Sequence, residues 1–257
     1  NETILTGNFD DIDFNNGLND GHHVVISAGA VGAAELNGFT VSKGYAAAIG
    51  SISVNGQTVE RVKGGGMYNV SSSPFISNCK FLENTTGGMG AGIYNVNSSP
   101  FIVNCLFSEN TATQGGGIGN MSNSSPTITH CNFYKNIGGG MFNISSSAAL
   151  ITHCVFTENS TLNRGAGISN EFGSSTTITY CTFSKNVSNQ SGGGVYNSNC
   201  TPTIANCNFL GNTAEDGGGI YNDFASSPNI TNCIFSGNSV AQSGGAIANS
   251  SVTLTTP

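Results

Sequence analysis

The chain has 257 residues, of which seven are basic and fourteen acidic, and its net charge is −7 at pH 7. Charged residues make up only 8% of it, far below the usual quarter, so neutral Ser, Thr and Asn must coat the surface. Nucleic acids and anionic membranes attract clustered Lys and Arg, and no apolar run is long enough to span a bilayer. We therefore expect no nucleic-acid binding and no direct membrane insertion of this segment.

An acidic segment, DDIDFNNGLND, lies near the start of the chain at Asp10–Asp20. Asp11, Asp13 and Asn15 place oxygen ligands at every second position, as the first half of a calcium-binding loop does. Asn16 stands where such a loop has Gly, and no Glu closes it. The segment is either a calcium site or an acidic turn, and calcium is the one cofactor that the sequence suggests.

Residues 1–63 are predicted to form irregular N-terminal coils with an inserted loop. His22–Ser27 is typical of a first strand, and Glu35–Gly44 resembles a degenerate copy of the strands that follow. Tyr45–Lys63 is interpreted as the inserted loop. The chain opens on Asn1 rather than Met, which is typical of a processed or trimmed piece.

Residues 64–257 repeat themselves at intervals of about 26 residues. Each copy has a glycine cluster followed by an apolar residue and an Asn two places later, an Ile three residues before a Cys, and the pattern Cys-x-Phe-x-x-Asn. The repeat cysteines are 26, 26, 23, 27, 26 and 26 residues apart, at Cys79, Cys105, Cys131, Cys154, Cys181, Cys207 and Cys233. Such a period indicates a repeat architecture rather than a disulfide framework or a zinc site.

The repeat predicts an all-β fold, a right-handed parallel β-helix of about ten coils. Apolar residues occur singly or at i, i+2, and Gly, Pro, Ser and Asn interrupt them every few positions, which leaves about three short strands per coil. Strands this short become stable when each pairs in parallel with its copy in the next coil, about 4.8 Å away. The last residues stop partway through a coil, so we expect the natural protein to continue beyond Pro257.

This fold assigns structural roles to the repeated residues. Cys and Phe at i, i+2 point inward as ladders, and stacked Asn side chains bond from coil to coil. The Asn before four of the cysteines is expected at a tight left-handed bend, at Asn78, Asn104, Asn206 and Asn232. The repeat cysteines are interpreted as buried thiols, with disulfides between neighbouring coils left open, whereas Cys200 replaces a turn serine and is expected to be exposed.

The Gly-Gly-[Gly/Ala]-apolar and Phe-x-x-Asn pair resembles the repeats of the polymorphic outer-membrane proteins, a family of autotransporter adhesins. More broadly, SSPNITNCIFSGN resembles the right-handed β-helix repeats of bacterial surface proteins in the pectate-lyase-like superfamily. The resemblance covers about residues 64–250 and implies secretion, surface display and often adhesion. The chain departs from autotransporters in showing no membrane barrel, which leaves the export route open.

One outward position of each coil carries an aromatic residue in five coils, and this broken stripe is the main candidate for glycan binding. Sugar rings stack their C–H faces on aromatic rings, whereas the alternative is that neighbouring rings stack on one another to cover the sheet. The candidate residues are Tyr68, Tyr94, Phe142, Tyr196 and Tyr221.

Catalytic candidates are sparse. Glu171 and Asp223 follow the first-strand Asn two coils apart and form the best carboxylate pair for glycoside hydrolysis, with solvated turn residues as the alternative. His130 and His153 replace the bend Asn in adjacent coils, with Tyr180 next; they suggest a metal or proton site or a tolerated substitution. A row of mostly alternating charges suggests compensation between neighbours, at Glu83, Glu109, Lys135, Glu158 and Lys185.

The sequence thus predicts an extracellular or cell-surface structural and adhesive module that binds glycans or a neighbouring cell surface. The alternative is a carbohydrate-active enzyme, a polysaccharide lyase or hydrolase. A remote alternative is ice binding, because Thr127-x-Thr129 and Thr177-x-Thr179 form parts of a threonine array that other coils interrupt.

Overall fold

A computed structural model describes residues 3–6 and 22–250. Every regular element in these ranges is a β-strand, and with one exception the strands pair in parallel. Each strand of a coil pairs with its copy about one period further along the chain, as in the register of Phe81 with Phe107. The predicted parallel β-helix is confirmed. No helix capable of crossing a bilayer is found in the described part of the chain.

Three parallel sheets run along the solenoid. Sheet 1 has nine strands: Val25–Ala28, Met67–Val70, Ile93–Val96, Ile118–Met121, Met141–Asn143, Ile168–Glu171, Val195–Ser198, Ile220–Asp223 and Ile247–Asn249. Sheet 2 has eight: Glu35–Asn37, Phe75–Ser77, Phe101–Val103, Thr127–Thr129, Leu150–Thr152, Thr177–Thr179, Thr203–Ala205 and Asn229–Thr231. Sheet 3 has nine: Thr3–Thr6, Phe39–Ser42, Lys80–Leu82, Leu106–Ser108, Asn132–Tyr134, Val155–Thr157, Thr182–Ser184, Asn208–Leu210 and Ile234–Ser236.

Short strands complete some coils. Four two-residue strands form a small fourth sheet, at Ser160–Thr161, Val187–Ser188, Thr213–Ala214 and Ser239–Val240, and Tyr45–Ala46 pairs with Thr85–Thr86. Seven regular coils carry the repeat cysteines and one irregular coil precedes them, and the single strands Thr3–Thr6 and Ile247–Asn249 belong to incomplete coils at the two ends of the described residues. The expected ten coils were therefore too many, although the fold class is as predicted.

The strands of the irregular N-terminal coil join the same sheets as the later coils, but one of them aligns differently from what its sequence suggests. Val25–Ala28 joins sheet 1, as expected for a first strand. In Phe39–Ser42 the residue aligned with the inward Phe81 is Val41, not Phe39. The predicted inserted loop contains the antiparallel hairpin Ser51–Val54/Gln57–Glu60, which is the exception to parallel pairing.

The interior is built from ladders of like side chains. The repeat phenylalanines are buried and stack with ring centres 4.5–5.0 Å apart, at Phe81, Phe107, Phe133, Phe156, Phe183, Phe209 and Phe235, the last of these only partly buried. Beside them lie the repeat cysteines, which are free thiols. Burying each ring contributes about 2–3 kcal/mol to folding, so the ladders are the main apolar stabilisation of the coils.

Cys200 differs from its expected placement. Its side chain is only 4% exposed, and its thiol lies 3.6 Å from the carbonyl oxygen of Asn170. Cys200 occupies a buried row in which other coils have serines, such as Ser98 and Ser124, so the turn serines themselves point inward. Burial raises the pKa of the Cys200 thiol to about 11.

Two asparagine ladders satisfy the polar groups of the corners. In sheet 1, each side chain donates its Nδ2–H to the Oδ1 of the next coil, as Asn95 does to Asn120 at 2.8 Å. At the corner after sheet 3, the Oδ1 of Asn136 accepts bonds from the backbone N–H and the Nδ2–H of Asn110. Its own Nδ2 donates to the carbonyl of Phe107 and to Asn159. The ladders thus pair most of these buried amides, as a dry interior requires, although Asn69 Oδ1 at the start of the sheet 1 ladder has no partner among the described residues.

The glycine clusters allow the chain to re-enter sheet 1 where backbones meet. A Cβ on Gly194 would lie 2.5 Å from the carbonyl oxygen of Gly219 and 2.7 Å from the Phe209 ring. Gly192 has φ +72 and folds over the outer face of sheet 1, where a Cβ would lie 2.8 Å from that of Tyr196. Glycine is therefore required here by space as well as by backbone geometry.

The bends between sheets 2 and 3 have the predicted left-handed geometry. The bend asparagines have φ of 51–55°, at Asn78, Asn104, Asn206 and Asn232, and their replacements His130, His153 and Tyr180 have φ of 52–54°. The charged row lies at a second left-handed bend, after sheet 3, where Lys135 pairs with Glu158 at 3.9 Å.

Replacing Asn136 with Ala tests the corner ladder. We expect the free energy of unfolding to fall by about 2–5 kcal/mol, because several buried donors and acceptors lose their partners at about 1–3 kcal/mol each. Urea denaturation measures it. The control is Asn132→Ala on the exposed outer face of sheet 3, which should change stability by about 0.5 kcal/mol or less. Equal effects of the two substitutions would contradict a role for the ladder.

Candidate functional site

The aromatic residues of the predicted stripe lie in one row on the outer side of sheet 1, but four of the five are buried. Tyr68, Tyr94, Phe142 and Tyr196 are at most 2% exposed, and Tyr221 is partly exposed. They belong to the side of the strand opposite the main core, as the alternation predicted. The expectation of an open aromatic stripe was wrong, because other chain segments cover this face.

Two kinds of segment cover the row. The hairpin of the inserted loop brings Val59 onto Tyr68 and Tyr94, which form a second apolar cluster with Ala28 and Val70. Lys63 then lies over the Tyr94 ring, 5.1 Å from its centre. In later coils the aromatic row is covered by the glycine turns before sheet 1 and by long side chains that extend from them, such as Arg164 over the Tyr196 ring. Burial raises the pKa of Tyr68 to about 12, as expected for a phenol held in an apolar cluster.

Four predicted residues meet in one place on this face. The site consists of Arg164, Glu171, Tyr196, Tyr221 and Asp223, and we call it the Arg164 site. Arg164 comes from the turn before sheet 1, and the other four come from three successive strands of the sheet. Glu171 and Asp223 occupy equivalent positions on either side of Ser198, so their Cα atoms are about 9.6 Å apart.

Hydrogen bonds link three of these side chains. Arg164 Nη1 donates to the hydroxyl of Tyr196 at 2.8 Å, and that hydroxyl donates to Oδ2 of Asp223 at 2.8 Å. The guanidinium lies 3.9 Å from the same Asp223 oxygen and 5.2 Å from the centre of the Tyr196 ring. Tyr221 stacks on Tyr196 with ring centres 5.9 Å apart and planes 8° apart. The Asp223 carboxylate is thus oriented by a phenol and balanced by a cation.

Glu171 has a different environment. Its Oε1 accepts a hydrogen bond from the hydroxyl of Ser169 at 3.1 Å, but no basic side chain of the described residues forms an ion pair with it. Partial burial raises the pKa of the Glu171 carboxyl, although the Ser169 bond and the Arg164 charge act in the opposite direction. The site therefore contains two carboxyl groups in unlike environments, one beside the Arg164 guanidinium and one whose charged form is disfavoured by partial burial.

An exposed phenylalanine follows each carboxylate. Phe172 is 60% exposed at φ 50°, and Phe224 is 58% exposed at φ 40°. A left-handed backbone is rare for a bulky residue, and in the coil between them the same bend carries Asn199 at φ 52°. Sparsely populated backbone conformations are found at active sites and ligand-binding sites, which makes these two exposed side chains candidates for ligand contact.

The remaining sequence candidates lie elsewhere. His130, His153 and Tyr180 stack in one exposed row at the bend between sheets 2 and 3, with ring centres 5.0 Å apart. The proposed calcium ligands Asp11, Asp13 and Asn15 lie outside the described residues. In the described ranges, no three His, Cys, Asp or Glu side chains come together as metal ligands.

Reasoning from the sequence missed Arg164, Phe172 and Phe224. Arg164 is the only arginine of the repeat region, and a cation directly before the glycine turn into sheet 1, as at Lys63, was the available signal. The two phenylalanines also stand out, because each replaces a polar residue at a turn.

A family model described as the right-handed beta helix region matches residues 8–156 and 121–256. Neither curated proteins nor solved structures give a match. The family match covers more than half of the chain and agrees with the parallel solenoid described above. The chain belongs to the right-handed β-helix family.

Proposed function

We propose that the protein is a secreted or cell-surface β-helix module that binds glycans at the Arg164 site. The observation that carries this proposal is the combination at one place of two carboxylates, a partly exposed tyrosine and two exposed phenylalanines. This combination suits a sugar ligand, since carboxylates accept hydrogen bonds from hydroxyls and aromatic rings pack on the apolar faces of the sugar ring.

The scaffold supports this role. Eight coils joined by backbone ladders and buried asparagines make a rigid rod, so side chains from three coils keep a fixed spacing. Pre-organised groups lose little entropy on binding, and this favours recognition by a few contacts. The low content of charged residues also suits a neutral polar ligand.

The second candidate function is hydrolysis of a glycan at the same site. In inverting glycosidases one carboxylic acid protonates the leaving group and a carboxylate about 6.5–9.5 Å away activates water. The Cα spacing of about 9.6 Å between Glu171 and Asp223 is compatible with such a separation. The raised pKa of Glu171 suits the acid, and Asp223, balanced by Arg164, suits the base.

Binding is tested on a glycan array, followed by titration of the best ligand. We expect Tyr221→Ala and Asp223→Asn to raise Kd by about tenfold or more, which corresponds to about 1.4 kcal/mol. Phe172→Asn and Phe224→Asn should weaken binding as well. Asn is chosen because Asn199 already occupies the same left-handed bend in the intervening coil, so the backbone is retained.

The matched control is Phe101→Thr. Phe101 is 42% exposed on sheet 2, and Thr127 occupies the same position one coil later, so the substitution removes an exposed ring without changing the fold. This variant should bind glycans like the original chain. A chain that binds no glycan, or site variants that bind as well as Phe101→Thr, would refute the proposal.

Hydrolysis is tested by the release of reducing ends from polysaccharides. We expect activity to decline as the pH rises through the raised pKa of Glu171, because the general acid is then deprotonated. Glu171→Gln should lower kcat by about 100-fold or more. If glycans bind but no reducing ends form at any pH, the protein is a binding module only.

A further inference from the structure

We propose that the hairpin Ser51–Val54/Gln57–Glu60 is an acid-released cover of the aromatic row, closed while His22 and His23 are neutral and opened when they are protonated. The hairpin reaches the row through Val59, whose side chain is completely buried. The device lies apart from the Arg164 site, and the inference does not rest on the proposed function.

The hairpin is attached to the solenoid mainly by side chains. Its two strands pair only with each other, and within the described ranges no backbone hydrogen bond of residues 51–60 reaches a solenoid strand. Val59 packs with Tyr68 and Tyr94, and Nδ2 of Asn55 donates to a backbone carbonyl of the irregular coil at 3.0 Å. A segment held in this way can open locally while the rest of the fold stays intact.

The two histidines contact the chain that leaves the hairpin. Arg61 Nη2 donates to Nε2 of His22, and since a guanidinium only donates, this bond needs an unprotonated Nε2. His23 donates its Nδ1–H to the carbonyl of Gly64 at 2.9 Å, and its ring meets the Tyr68 ring edge-on with centres 5.3 Å apart. His23 is therefore in contact both with the base of the cover and with the row beneath it.

The closed form offers no acceptor for an additional proton on either ring. His23 Nε2 and Arg61 Nε are buried and have no hydrogen-bond partner among the described residues. A proton on His23 Nε2 would add a buried and unpaired N–H, and a proton on His22 Nε2 would break the Arg61 bond and place two cations together. The nearby charges of Glu60 and Lys63 pair with each other at 3.0 Å.

The direction of the pH effect follows from these contacts. Burial lowers the pKa of both imidazoles, and the Arg61 charge acts in the same direction. In the open form the histidines regain their ordinary pKa of about 6.5, so the open form binds more protons than the closed form as the pH falls. The cover is thus most stable above about pH 6.5 and loses stability below it. The phenols of Tyr68 and Tyr94 have raised pKa values and stay neutral throughout.

Hydrogen exchange measured by mass spectrometry at pH 7.5 and 5.5, with each rate corrected for its intrinsic pH dependence, tests the cover. We expect the protection of peptides from residues 51–60 to fall by about tenfold or more at the lower pH, since one histidine that must be neutral contributes up to about tenfold. Peptides from residues 118–143 should keep their protection. Acrylamide quenching of tyrosine emission should rise over the same interval, because Tyr68 and Tyr94 become accessible.

The variants separate the two histidine pairs of the chain. His22→Gln with His23→Gln should abolish both responses, because Gln can still accept from Arg61 and donate to the Gly64 carbonyl but does not titrate. Each single Gln variant should retain part of the response.

The matched control replaces the other two histidines. His130→Asn with His153→Asn should respond to acid like the original chain, because both residues lie at exposed bends where other coils have Asn. Unchanged hairpin protection in the original chain, or the same fall in the Gln double variant, overturns the proposal. An equal fall in the repeat coils also overturns it, because the solenoid then responds to acid as a whole.

Discussion

The structure depends on one constraint: a buried polar side chain is satisfied by the same side chain one coil away. Asn136 accepts from Asn110 and donates to Asn159, and each bond forms only if the two coils that it joins stand in register. An unpaired buried amide costs about 1–3 kcal/mol, so a slip in one coil is penalised in its neighbours as well. The phenylalanine ladder alone would tolerate sliding, whereas the amides define the register.

The same constraint limits where function can reside. Inward positions are occupied by ladders, and the glycine turns need the space beside sheet 1, so only outward positions and bends are free to vary. The Arg164 site and the pair of His130 and His153 both lie at such positions. The Arg164 site breaks the pattern on the outer face of sheet 1, and the histidine pair replaces asparagines at a bend without changing its backbone.

Much of the fold could be predicted from the sequence, because the period specifies it. Equal spacing of Cys, Phe and Asn implies equal positions in a coil, and alternation at i, i+2 assigns inward and outward sides. The register of Val41 was beyond such reasoning, since a single apolar residue in an irregular coil aligns equally well in several ways. The number of coils was overestimated because the N-terminal segment has no anchors to count.

The site was predicted less well, for a physical reason. Alternation tells which side of the strand Tyr94 or Tyr196 occupies, but not whether another segment lies over it. The hairpin that carries Val59 and the turn that carries Arg164 come from irregular sequence, where contacts depend on tertiary packing. Glu171 and Asp223 were recognised because they share a repeat position, whereas Arg164 was missed because most coils have no cation at its position; Lys63, which lies over Tyr94, is its equivalent.

The coil period also gives the molecule an approximate translational symmetry along its axis. The family model matches residues 8–156 and again 121–256, so residues 121–156 are matched twice. Such an overlap follows when one coil aligns on another as well as on itself. Sequence comparison can therefore recognise the repeat, but it cannot tell which coil of one protein corresponds to which coil of another. Individual coils can be identified by residues that depart from the repeat pattern, such as Arg164, Phe172 and Phe224. A relative with the same role should be sought by these residues rather than by the repeat itself.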